Sequence, residues 1–124
     1  MRLLIDTHLL LWTLYSPAKL SARARRLIEK SEVHVSAASI WEISIKASLG
    51  KLAANASDVL ATVEPTGFSL LPISGEHAAQ VADLPMHHKD PFDRLLVAQA
   101  RSEPMGLLSN DEVLRAYGDF VILV

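Results

Sequence analysis

The stretch Arg2-Leu3-Leu4-Ile5-Asp6-Thr7 sets a short apolar run directly against an aspartate, after which the residues from Thr7 to Leu14 take up helical spacing. A brief apolar run bounded by a polar residue reads as a buried strand, and a carboxylate just beyond it lies where the chain turns away from a sheet. The pattern recurs downstream. Apolar segments at Val33 to Ser36, Phe68 to Pro72, Leu107 to Ser109 and Phe120 to Leu123 predict further strands. Helices are predicted over Thr7 to Leu14, Ser21 to Lys30, Ala38 to Leu49, Ser57 to Glu64, Gly75 to Leu84, Pro91 to Glu103 and Glu112 to Tyr117. Pro17, Pro65 with Gly67, Pro85 and Gly106 punctuate these elements. Such alternation is the signature of an α/β domain around a parallel sheet. In an open parallel sheet the chemistry gathers outside the carboxyl ends of the strands, so Asp6 and Asp111, each just past a predicted strand, are candidates for one crevice.

At 124 residues the chain has the size of one compact domain, 1–124, and no repeat, low-complexity tract or linker supports dividing it. Hydrophobic residues make up 50% and charged residues 21%, which is enough for a sizeable core and unlike a disordered chain. Cysteine is absent, which excludes disulfides and thiolate metal sites and leaves carboxylate, imidazole, carbonyl or water as ligands. Hard cations are therefore favoured. Only Arg2 precedes the first apolar run, and Asp6 interrupts it far short of the ~18 residues of a membrane span, so a cytoplasmic protein away from the membrane is expected. The formal net charge of -2 argues against a general nucleic-acid coating protein and leaves room only for local basic patches.

Glu42 is the most informative acid. On a helix from Ala38 to Leu49 it falls between two apolar sets, Ile43, Ala47 and Ile40 to one side and Leu49, Ala38, Ile45 and Trp41 to the other. A glutamate centred on a buried face costs several kcal/mol to desolvate as an isolated ion, so it needs a partner or a water-lined cleft. An i,i+4 pair with Lys46 is the competing explanation. In Asp90-Pro91-Phe92-Asp93-Arg94, Asp90 suits a helix cap and Pro91 the first helical position. Asp93 shares a stripe with Leu96, Val97 and Ala100, which directs it toward the core side. Asp111 can cap the helix beginning at Glu112, and Asp6 can serve the helix after it, although Thr7 can do that work itself.

Each acid alone has an ordinary structural explanation. Directed together into one cleft, four carboxylates repel strongly, and folds tolerate such clusters chiefly when cations neutralise them. Asp6, Glu42, Asp93 and Asp111 are the candidate metal ligands and catalytic acids, and an all-oxygen set suits Mg²⁺ or Mn²⁺. Hydrolysis of phosphodiesters is the chemistry such a site performs. Ser109, Asn110 and Thr7 are candidates to position waters or carboxylates, with turn and capping roles as the alternative. His8, His87 and His88 lie near acidic motifs but without a ligand spacing, and all five histidines are left outside the metal site.

Four segments carry a family resemblance. Leu4-Ile5-Asp6-Thr7-His8, Ile40-Trp41-Glu42-Ile43-Ser44-Ile45-Lys46 with Leu49-Gly50-Lys51-Leu52, His88-Lys89-Asp90-Pro91-Phe92-Asp93-Arg94, and Ser109-Asn110-Asp111 resemble, in order along the chain, the motifs of VapC-like PIN-domain proteins. The resemblance implies a PIN-like three-layer α/β/α sandwich with a central parallel sheet of about five strands. It also implies that Asp6, Glu42, Asp93 and Asp111 bind magnesium or manganese, that the activity is a ribonuclease acting as the toxin of a toxin-antitoxin pair, and that the partners are RNA, a small antitoxin and a second copy of the chain. Ser109 stands where the family often has threonine, which keeps the hydroxyl. Lys46, Lys51, Lys89 and Arg94 accompany the acidic motifs and are the candidates for phosphate contacts.

The apolar content exceeds what so small a domain readily buries, which also predicts self-association. The segments Pro17 to Lys30 and Asn55 to Glu64 hold no candidate ligand and are expected to carry dimer or antitoxin contacts. Two other functions compete. A catalytically inactive PIN-fold RNA-binding or protein-interaction module would not need the intact acidic set, and a phosphotransfer protein accepting phosphate on Asp6 would not need Glu42 on the inner face of its helix.

Overall fold

In the computed structural model, which covers residues 1–124, the apolar runs form five strands: β1 (Arg2–Ile5), β2 (Glu32–Ser36), β3 (Ser69–Leu71), β4 (Gly106–Ser109) and β5 (Val121–Leu123). All neighbours pair in parallel, in the order β3-β2-β1-β4-β5. β1 lies at the centre, with Leu3 opposite Val33 on one side and Gly106 on the other. Successive residues of a strand point to opposite faces, and here both faces are covered. Leu3 and Ile5 join a core with Leu9, Leu10, Val33, Val35 and Val59, while Leu4 joins a second core with Leu96, Val97, Leu107 and Leu114.

The helices are α1 (Thr7–Tyr15), α2 (Ala22–Lys30), α3 (Ala37–Ser48), α4 (Ala56–Val63), α5 (Gly75–Gln80) and α6 (Pro91–Ser102). The first core packs residues of α1, α2 and α4 against the sheet, and the second packs α6 and the segment after β4, which completes the α/β/α sandwich. α3 sits between them, giving Ile43 to one core and Ala38 to the other. No helix is long and apolar enough to cross a membrane.

Three expectations need correction. The helix predicted over Gly75 to Leu84 is α5 followed by a 3-10 turn at Val81–Asp83. The Arg94 guanidinium on α6 takes the carbonyls of Val81 (3.0 Å) and Leu84 (3.4 Å), drawing this end of the segment onto α6. The helix predicted from Glu112 is a 3-10 segment, Glu112–Tyr117, and Asp111 caps it through the amide of Val113 at 3.0 Å. Trp41, grouped with the inward apolar set, is 57% exposed and meets Phe92 edge-on at 5.1 Å.

A buried polar seam ties α6 to the ends of β2 and β3. The Ser36 hydroxyl donates to Gln99 Oε1 and accepts from the Ala38 amide, starting α3, while Gln99 Nε2 donates to the Pro72 carbonyl at 3.3 Å. Gln99 is fully buried, so losing its amide strands polar partners away from water. Gln99→Leu is expected to lower stability by ~1–3 kcal/mol, read as a lower urea midpoint at unchanged m-value. A midpoint equal to that of the parent would show that the seam contributes nothing.

Candidate metal centre

The chain leaves β1 toward β2 and β3, then returns to β4 on the other side of β1, and that reversal opens a crevice at the carboxyl ends of β1 and β4. Asp6 stands there as the cap of α1. Its Oδ1 accepts from the Leu9 amide at 2.8 Å, and its Oδ2 accepts from the Ser109 hydroxyl at 2.6 Å. Thr7 does not compete for the cap, because its hydroxyl donates to Ser39 Oγ at 2.8 Å. Asp6 is 5% exposed. Burial pushes its pKa up, against the opposing pull of the Ser109 and Leu9 hydrogen bonds.

Glu42 reaches the crevice from α3 and is also 5% exposed. The pair weighed from the sequence is present: Lys46 Nζ lies 2.7 Å from Glu42 Oε2, and that contact raises the lysine pKa. Yet Lys46 satisfies only one oxygen. Glu42 Oε1 is buried without a hydrogen-bond partner, which is costly for a carboxylate and leaves an oxygen for a cation.

Asp90 caps α6 by accepting from the amides of Phe92 (2.8 Å) and Asp93 (3.2 Å), the role its place before Pro91 predicts. Asp93 in the first turn is left free of that duty. Burial is the main cause of a pKa raised to about 7, with the negative charges of Asp90, Glu42 and Asp6 adding to it and His88 opposing. Asp111 Oδ1 caps Val113, and Oδ2 meets His88 Nε2 at 2.9 Å. The Ser109 hydroxyl oxygen also accepts from the Asp111 amide at 3.0 Å, so one serine links two of the candidate acids.

All four acids line a single cavity of about 380 Å³, together with Thr7, His8, Lys46, Lys51, His88 and Asn110. A carboxylate oxygen that accepts one hydrogen bond keeps a lone pair, so the caps on Asp6 and Asp111 do not bar them from a cation. Oxygen donors, an unpartnered buried oxygen on Glu42 and carboxyl groups held above their usual pKa together fit a hard divalent ion.

Three positions differ from expectation. His88, set aside for want of a ligand spacing, lies within the acidic group: its Nε2 is 2.9 Å from Asp111 and 3.4 Å from Asp93. Its nearer partner, Asp111, is distant in sequence, and the local signals are its place two residues before the capping Asp90 and five before Asp93. Arg94, a candidate for phosphate contact, is 7% exposed and spends its guanidinium on the carbonyls of Val81, Leu84 and Pro85 and on the Tyr117 hydroxyl. It is structural, since a buried guanidinium needs its donors satisfied. Lys46 and Lys51 face the cavity, whereas Lys89 does not line it.

Asp93 holds its proton up to about pH 7, against 3.8 for the ordinary carboxyl. The folded state binds the extra proton between these values, so the contribution to stability is full below 3.8 and is lost as pH rises through about 7. Asp6 shifts in the same direction. Metal-free protein is therefore expected to lose stability on the order of a few kcal/mol across that range, and Asp93→Asn to flatten the slope. Melting curves in chelator over that pH range check this. A slope unchanged in Asp93→Asn would place its origin elsewhere.

The fold agrees with comparisons to known proteins. The chain's fold is similar to VapBC2 from Rickettsia felis bound to a DNA fragment from its promoter (TM-score 0.72, 14% identity, covering 100% of this chain and 98% of the other). It is similar also to FitAcB from Neisseria gonorrhoeae (TM-score 0.67, 17% identity, 98% and 96% covered). A third similar structure is DNA-bound VapBC from Salmonella typhimurium (TM-score 0.61, 20% identity, 93% and 89% covered). A comparison with curated protein sequences gives no match. The family model of the PIN domain matches residues 3–119, nearly the whole chain, and the protein therefore belongs to the PIN-domain family.

Proposed function

We propose that this protein is a metal-dependent endoribonuclease, the toxin of a toxin-antitoxin pair acting in the cytoplasm, with Asp6, Glu42, Asp93 and Asp111 as ligands of Mg²⁺ or Mn²⁺. The observation that carries the reading is the convergence of these four acids, from four separate segments, on one cavity with an unpartnered buried oxygen on Glu42. When bound, the cation supplies positive charge to phosphoryl oxygens and acidifies the attacking water. The chain's own residues orient and exchange charge around it. Ser109 and the Leu9 amide hold Asp6 with each oxygen fixed. Lys46 neutralises one oxygen of Glu42, and it would be released by a cation on that carboxylate to meet, with Lys51, an RNA phosphate at the rim. The similar structures are named as VapBC and FitAB assemblies, which supports an antitoxin partner, and an Arg or Lys from such a partner would pair with the carboxylates.

Short synthetic RNAs incubated with Mg²⁺, Mn²⁺ or chelator test the activity. Cleavage is expected only with metal, and Asp6→Asn, Glu42→Gln, Asp93→Asn and Asp111→Asn should each lower it by roughly a hundredfold or more, beyond what the loss of an outer partner usually costs. Cleavage that survives chelator, or persists in both Asp6→Asn and Asp93→Asn, would sink the reading. Co-expression with the product of the adjacent reading frame is expected to abolish cleavage, and an adjacent product that neither binds nor inhibits the chain would remove the toxin assignment.

The same reading includes a homodimer. The outward face of Pro17 to Lys30 is charged, with Arg23, Arg25, Arg26 and Lys30 exposed, so the apolar surface lies elsewhere. Trp41, Leu60 and Leu70 are exposed around a shallow groove where α3, α4 and β3 meet. Sedimentation at micromolar concentration is expected to show a dimer, and Trp41→Glu a monomer. A monomeric parent chain would remove the homodimer, and a dimeric Trp41→Glu variant would relocate its interface.

A further inference from the structure

The geometry points to His88 as a positioning residue of the acidic centre, held in place through Tyr117 and Arg94, that orients the carboxylates of Asp111 and Asp93 without itself ligating the cation. This rests on the metal-dependent reading above.

The chain of contacts begins in the interior. Arg94 donates to the carbonyls of Val81 and Pro85 at 3.0 Å each, which anchors the residues before His88 on α6. It also donates to the Tyr117 hydroxyl oxygen at 3.2 Å, and the same oxygen accepts from the His88 backbone amide at 3.0 Å. One phenol thereby locates the His88 main chain. The ring of its neighbour His87 packs edge-on against Tyr117 at 5.0 Å, adding a second hold on the loop.

The His88 ring is then set by proton chemistry. Its Nδ1 lies 3.0 Å from the backbone nitrogen of Asp90, and an amide N–H can only donate. Nδ1 must therefore present its lone pair, and in the neutral ring the proton sits on Nε2. That proton faces Asp111 Oδ2 at 2.9 Å, with Asp93 Oδ2 at 3.4 Å. His88, Asp93 and Asp111 offer ligand-type atoms that all lie within 4.8 Å of one another, which by distance alone would suit a shared ion. A nitrogen that carries a proton has no lone pair to give a metal. His88 acts instead as a donor between two acids that repel, fixing which oxygens remain open to the cleft. Asp90 couples both halves: its amide sets the His88 tautomer, and its carboxylate caps the turn that carries Asp93.

Two measurements test this without relying on RNA cleavage. Long-range proton-nitrogen correlation spectra of metal-free protein labelled with ¹⁵N-histidine should show the neutral His88 ring with its proton on Nε2. A proton on Nδ1 would overturn the assignment. Calorimetric titration with Mn²⁺ and with Ni²⁺, which favours imidazole, should show His88→Leu weakening both by a similar factor of roughly 10–100. His88→Gln, whose amide can still donate to Asp111, should recover most of the loss for both. A Ni²⁺ affinity that falls far more than that for Mn²⁺, or a Gln variant no better than Leu while circular dichroism shows both folded, would overturn it. Binding of Mn²⁺ with these effects but without RNA cleavage would remove only the ribonuclease reading, whereas no Mn²⁺ binding to the parent chain would remove this assignment together with the metal centre.

Discussion

Asp6 caps the helix that follows the central strand while buried among other acids at the point where the sheet changes direction. A carboxylate there is expensive to ionise, because desolvation of a lone charge costs several kcal/mol and charge-assisted hydrogen bonds return about 1.5–3 kcal/mol each. Ser109 and the Leu9 amide supply two such bonds. Much of the surrounding structure can be understood as further compensation. Lys46 is held against Glu42, the Asp90 cap leaves Asp93 uncommitted, and His88 stands between Asp93 and Asp111.

Compensation is incomplete in the metal-free protein. Burial and neighbouring negative charge keep Asp93 protonated far above its ordinary range, and Glu42 retains an oxygen with no partner. A crevice that is underneutralised in this way favours a cation energetically, since each carboxyl gains a counter-charge in place of a proton or a repulsive neighbour. The metal dependence proposed above rests on that imbalance.

The cations of the chain divide by burial. Arg94 lies close to the acids in sequence but is turned inward, where its planar group satisfies several main-chain carbonyls at once. Lys46, paired with Glu42, and Lys51 remain at the cavity. Other exposed cations lie on α2, where Arg23 and Arg25 are tied to carbonyls of Leu123 and Pro17.

Local pattern located the strands and most of the helices, and marked the acids as candidates. The run Leu3-Leu4-Ile5 against Asp6 specifies a buried strand and a residue just past it, and the helical stripe around Glu42 exposes its odd placement, because strand and helix periods are properties of neighbouring residues. The parallel sheet followed from their alternation. What local pattern does not contain is which elements become neighbours. The placement of β4 beside β1, which brings Asp111 to Asp6 through Ser109, is settled by burial of both sheet faces at once. His88 entered the acidic group because Tyr117, far from it along the chain and itself held by Arg94, locates its loop. Trp41 turned outward and the helix after Ser74 broke near Val81 for the same kind of reason: packing partners and competing donors outweighed the period of the sequence. Residue chemistry and spacing determined what each segment can be, and tertiary structure decided which charges had to face one another, because desolvation and charge repulsion act across distances in space that the linear sequence does not record.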